Sequence, residues 1–164
     1  MKSLFVAVLA LFAEPAGAAD VIRYKTPNSD FPIAQAVEIP AGHGLVFLSG
    51  AGPDIVDTSA PKDSPAAYGD TKAQTLGTLG KIEASLKSMG LGMKDVVKMQ
   101  VFLVGDTKLG GKMDFAGMME GYRQFFGTAA QPNLPARSTL QVAGLANPGW
   151  LVEIEVTAAR KSSK

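Results

Sequence analysis

The chain has 164 residues, with 16 Lys and Arg against 15 Asp and Glu, a single His and no Cys. A formal net charge of +1 gives no electrostatic footprint for nucleic acid, so no nucleic-acid partner is expected. The absence of Cys excludes a thiol nucleophile, a Cys-ligated zinc and an iron–sulfur cluster, and the length suits one domain with a core that needs no disulfide staples.

Lys2, the apolar run Leu4 to Ala13 and the small residues Ala16-Gly17-Ala18 read as a secretory signal peptide over residues 1–18. That run is too short to cross a bilayer, which needs about 20 residues. The expectation is therefore a single domain over 19–164, periplasmic or secreted, with no membrane contact after cleavage. Val21 to Thr26 reads as a strand closed by the turn residues Pro27 to Asp30. Gln35 to Ile39 and Gly44 to Leu48 follow as strands around a turn that carries His43, read as an exposed turn residue. Ser49-Gly50-Ala51-Gly52-Pro53 lacks the third glycine of a dinucleotide loop, and no helical period starts after it.

Asp70 or Thr71 is placed to cap the next element, with Thr71 and Gln74 at capping-box spacing. Leu76, Leu79, Ile82, Leu86 and Met89 form one helical stripe, and Gly90 is placed to end the helix. Asp95 to Val104 is rich in β-branched and aromatic residues and reads as a central strand. A second helix carries Phe115, Met118, Met119, Tyr122, Phe125 and Phe126 on its packing side and stops near Gly127. Ser138 to Ala143 and Trp150 to Val156 alternate as strands. Arg137 stands at the mouth of the first. On the second, Glu153 and Glu155 share the face opposite Trp150, Val152, Ile154 and Val156. The element order predicts an α+β, broadly α/β, two-layer fold: a mostly antiparallel sheet with both helices on one face.

A guanidinium presents a planar fork that matches a carboxylate, so Arg137 is a candidate anchor for a small acid. A nearby glutamate can orient or deprotonate water. The residues alone leave two plainer alternatives open: Arg137 in an interface salt bridge, and Glu153 as a solvated acid on an edge strand.

The run PARST followed by the LVEIE strand resembles the signature of the Rid family, the reactive intermediate deaminases also called RidA/YjgF proteins. PIAQAV with GLVFLSG, KDVVKMQVFL and DFAGMMEGYRQFF agree in order and spacing, so the resemblance covers roughly Val21 to Arg160. It implies a chorismate mutase-like fold, a homotrimer with its sheets around a central barrel, and ligand pockets at the subunit interfaces. It implies hydrolysis of 2-imino or enamine acids to 2-oxo acids and ammonia without a metal or organic cofactor. In that scheme Arg137 holds the carboxylate of the small-molecule substrate, Glu153 attends the water, and Ser49 and Gly50 line the pocket.

Three positions depart from the family pattern: Ile33 replaces a Tyr, Met119 an Asn and Thr139 a Cys, which makes the pocket more apolar. Thr139 shares a strand face with Arg137. The alternative function is a trimeric protein that binds small carboxylates without turnover.

Overall fold

In chain order the elements are β1 (Ile22–Lys25), β2 (Ala34–Glu38), β3 (His43–Ala51), α1 (Thr71–Ser88), β4 (Val96–Val104), α2 (Phe115–Tyr122), β5 (Ala136–Val142) and β6 (Val152–Lys161). The computed structural model describes residues 19–162, so the expected signal segment lies outside them.

Alternation along β4 sets the plane of the sheet. Met99, Val101 and Leu103 are fully buried, whereas Lys98 is exposed and Gln100 and Phe102 are half-buried. β6 repeats the pattern, with Val152, Ile154 and Val156 buried and Glu153, Glu155 and Thr157 half-buried. The six strands run β1-β2-β5-β4-β6-β3. β1/β2, β4/β6 and β3/β6 are antiparallel, while β2/β5 and β4/β5 are parallel. The sheet is therefore mixed with an antiparallel majority, and β4 separates the two strands that the signature region supplies.

Both helices pack on one face. Leu79, Ile82 and Leu86 of α1 join Met118 and Tyr122 of α2, Phe126 beyond it, and the inward residues of β4 and β6 in one core. Burying side chains of this size contributes about 1.5–3 kcal/mol each. The helices approach closely because Gly121 lies over Thr75, where a methyl group would come within 2.9 Å of the threonine side chain. Asp70 caps α1, its carboxylate accepting from the Ala73 N–H at 2.8 Å. Gly90 ends the helix in a left-handed conformation, φ 72°.

Several sequence expectations shift. Gln74 does not complete a capping box: fully buried, it donates to the Gly69 and Gly149 carbonyls and accepts from the Leu151 N–H at 2.7 Å. It ties α1 to the connection ahead of β6, so its role depends on contacts remote in sequence. Met89 is largely exposed because the chain turns at Gly90 before that side chain reaches the core. α2 ends at Tyr122, short of Gly127. His43 opens β3 instead of sitting in the turn, its Nδ1 3.1 Å from the Pro40 carbonyl. β3 runs on through Ser49 and Gly50 to Ala51, with a bulge between Leu48 and Ala51. Trp150 precedes β6 and packs edge-on against Tyr68, centroids 6.5 Å apart.

The other sheet face has no helix. Phe47 of β3 is 74% exposed and Leu140 of β5 is 47% exposed. Their register partners Thr157 and Phe102 place both on this open side.

Candidate functional site

β5 begins at Ala136, two residues earlier than the alternation suggests, so Arg137 is its second residue. Lateral neighbours in a sheet point to the same side, and Arg137 pairs with the fully buried Met99. Its side chain therefore rises into the helix layer. Nη2 donates to the Met119 sulfur at 3.1 Å, and Cζ lies 4.3 Å from the centroid of the Tyr122 ring. The Phe31 and Phe115 rings stand 5.6 and 6.0 Å from Cζ. Those two rings are nearly parallel, 9° apart, with centroids 6.3 Å from each other. The Tyr122 hydroxyl donates to the Pro32 carbonyl at 2.8 Å, fixing the segment that carries Phe31 and Ile33 against α2.

No carboxylate answers this cation. None of the ion pairs among the described residues includes Arg137. Its Nη1 is buried without a hydrogen-bond partner, and so is the Thr139 hydroxyl oxygen two residues along the same strand face. A buried charge without a counter-ion is costly, and aromatic faces return only about 2 kcal/mol when desolvated. Burial is the main influence on the guanidinium and lowers its pKa, with the Tyr122 phenol acting in the opposite sense. Arginine nonetheless stays protonated at neutral pH. Burial likewise drives the Tyr122 hydroxyl upward against the pull of Arg137, so that phenol stays neutral. The arrangement is an anion-accepting half-site, with two donor positions unfilled.

Glu153 lies elsewhere. It pairs with Phe102, whose side chain faces the open side, so Glu153 and Arg137 occupy opposite faces of one sheet. The Glu153 carboxylate folds over Gly50, where a methyl group would collide with it. Ser49 and Glu155 line a neighbouring hollow of about 390 Å³ together with Lys98, Gln100 and Thr157. Thus the structure brings Arg137, Met119 and Thr139 together under α2, with Ile33 in the adjoining segment. It brings Ser49, Gly50 and Glu153 together on the open face. Within one chain it does not join the two groups.

Phe31, Phe115 and Tyr122 surround the guanidinium but were not legible as site residues. Phe115, Met119 and Tyr122 recur at successive turns of α2, a spacing that reads as core packing. Phe31 sits in a turn with no periodicity to mark it. Among the described residues no three His, Asp or Glu side chains gather as a metal-ligand set.

A two-layer α+β domain with an unpaired cation held between its sheet and second helix defines the class of protein. The family model described as Endoribonuclease L-PSP matches residues 26–160. A RutC family protein of Haemophilus influenzae is 36% identical over 137 residues, covering 84% of this chain and 93% of its own. The putative reactive intermediate deaminase TdcF of Escherichia coli is 34% identical over 138 residues, covering 84% and 94%. Among solved structures, E. coli TdcF with bound serine is similar at 30% identity and a TM-score of 0.55, covering 79% of this chain and 92% of that one. A YjgF family protein of Neisseria meningitidis is similar at 26% identity and a TM-score of 0.54, covering 88% and 98%. The chain belongs to the RidA/YjgF family.

Proposed function

We propose that this protein hydrolyses small 2-imino acids, and the enamines in equilibrium with them, to 2-oxo acids. Water adds to the iminium carbon, the C–N bond breaks and ammonium leaves, so that iminium acid and water become 2-oxo acid and ammonium. Arg137 receives the substrate carboxylate in a charge-assisted, forked contact. The buried Thr139 hydroxyl supplies a further hydrogen bond at the same mouth. Glu153 orients the attacking water and accepts its proton as the carbon becomes tetrahedral. The observation that carries the proposal is the Arg137 guanidinium, buried, without a carboxylate partner and with Nη1 unfilled.

Because Glu153 lies on the other sheet face, this reading requires a second copy of the chain to bring its Glu153 to the Arg137 half-site. A homotrimer built on the open face is the proposed assembly, and the exposure of Phe47 and Leu140 supports it. The name reactive intermediate deaminase borne by TdcF is consistent with the proposed chemistry. The proposal also places the mature protein outside the cytoplasm, tested by whether the protein recovered from its native host begins at Ala19.

The deciding experiment follows ammonia release from freshly generated 2-iminopropanoate. Wild type accelerates it over buffer and Arg137→Ala does not. A wild type no faster than buffer refutes hydrolysis. Thermal stabilisation by 2-oxo acids in that case would leave a binding protein that uses the same arginine.

A further inference from the structure

We infer that the site selects 2-imino acids whose side chain is apolar, branched or aromatic, and discriminates against those carrying a hydroxyl, an amide or a second charge. The inference rests on the deaminase reading and adds the substrate class to it. With the carboxylate on Arg137, the substituent at the reacting carbon falls within a side chain's length of the guanidinium. At that range stand the rings of Phe31 and Phe115, 5.6 and 6.0 Å from Cζ. Both remain partly open, 38% and 36% exposed, so they offer apolar surface that the core has not consumed.

The polar atoms nearby are almost all committed. The Tyr122 hydroxyl is engaged by the Pro32 carbonyl, and the Met119 sulfur receives Nη2 of Arg137. The one uncommitted side-chain oxygen on the Arg137 strand face is that of Thr139, and it is buried. An apolar substituent would cover Phe31 and Phe115 and gain from leaving water. A hydroxyl or amide would lose its hydration and compete with the carboxylate for Thr139. Apolar walls reject an added hydroxyl only moderately, so discrimination between a methyl and a hydroxyl of equal size should be about 10- to 100-fold.

The test pairs hydrolysis with binding. Imines generated by an L-amino acid oxidase from 2-aminobutanoate, leucine, phenylalanine and serine give kcat/KM. Calorimetry with 2-oxobutanoate, 4-methyl-2-oxopentanoate and 3-hydroxypyruvate gives Kd. Wild type should prefer the ethyl over the hydroxymethyl side chain by at least about tenfold in both measurements. Phe31→Ser with Phe115→Ser should reduce that ratio to below about threefold, and Phe31→Leu should retain it. Because both rings are partly exposed, the variants should fold, which a thermal melt verifies.

Hydrolysis of all imines at equal kcat/KM would overturn the inference and leave the deaminase reading intact. No hydrolysis, with the apolar preference kept in Kd, would sink the deaminase reading and preserve the selectivity. A flat Kd series in an inactive protein overturns both.

Discussion

Arg137 and Glu153 point away from each other through the thickness of one sheet, the first beside Met99 under α2 and the second beside Phe102 on the uncovered side. A chain that folds alone therefore holds two incomplete halves. The burial of an unanswered guanidinium on one side and a carboxylate clearance at Gly50 on the other are features that packing alone does not require.

Replacing Arg137 by methionine should trade activity for stability. The substitution removes a buried cation that lacks a carboxylate and leaves its stem volume in place, a change that is often neutral or stabilising by about 1–4 kcal/mol. Denaturant unfolding should show Arg137→Met at least as stable as wild type, while ammonia release falls to the buffer rate. A marked loss of stability would mean that the guanidinium is mainly a structural element.

Gly50→Ala tests the carboxylate clearance. The new methyl displaces only the end of a flexible side chain, so the melting temperature should move by no more than about 2 °C, or roughly 0.5 kcal/mol. The displaced Glu153 carboxylate should lower kcat at least about tenfold, as expected when a general base is moved from its position. An unchanged kcat would separate Glu153 from the chemistry.

Phe47→Glu probes the uncovered sheet face. Phe47 is 74% exposed in the single chain, so the substitution should cost the protomer fold no more than about 0.5 kcal/mol. Buried between copies, the same charge would be unpaired and strongly disfavoured. Analytical ultracentrifugation should show wild type as a trimer and Phe47→Glu as smaller species, with activity lost although Arg137 is untouched. A wild-type monomer with full activity would refute the shared site.

Alkaline pH should weaken the fold through Tyr122. Burial raises its hydroxyl above the usual tyrosine value, with the Arg137 charge opposing, so the unfolded chain ionises first. The stability linked to this group is complete below about pH 10 and is lost progressively above it. Tyr122→Phe removes the bond to the Pro32 carbonyl, costing about 1 kcal/mol, and should flatten that alkaline slope. Urea midpoints of both proteins at about pH 8 and about pH 10.5 measure the difference. Equal slopes would count against an ionisable, buried Tyr122.

The layers were legible because they rest on local periodicity. The period-two pattern of Val152, Ile154 and Val156 and the stripe Leu79, Ile82 and Leu86 each name their own buried face. Likewise, Thr139 was placed beside Arg137 by strand alternation alone. What escaped depends on partners remote in sequence. Gln74 fits a capping box by spacing, yet it meets Gly149 and Leu151 because the fold returns there. The insertion of β4 between β5 and β6 is what relates Met99 to Arg137 and Phe102 to Glu153, and nothing within either strand encodes it. Phe115 and Tyr122 read as core because a helical stripe looks the same whether it covers a leucine or a guanidinium.

Placing the cation and the acid on different sides has a genetic consequence: the proposed site is divisible between polypeptides. Two inactive alleles, Arg137→Ala and Glu153→Ala, should complement each other when co-assembled, since a junction can inherit its arginine from one parent and its glutamate from the other. Random mixing in equal amounts should restore about a quarter of the junctions. For the same reason, either allele expressed beside wild type should poison junctions in proportion to its dose.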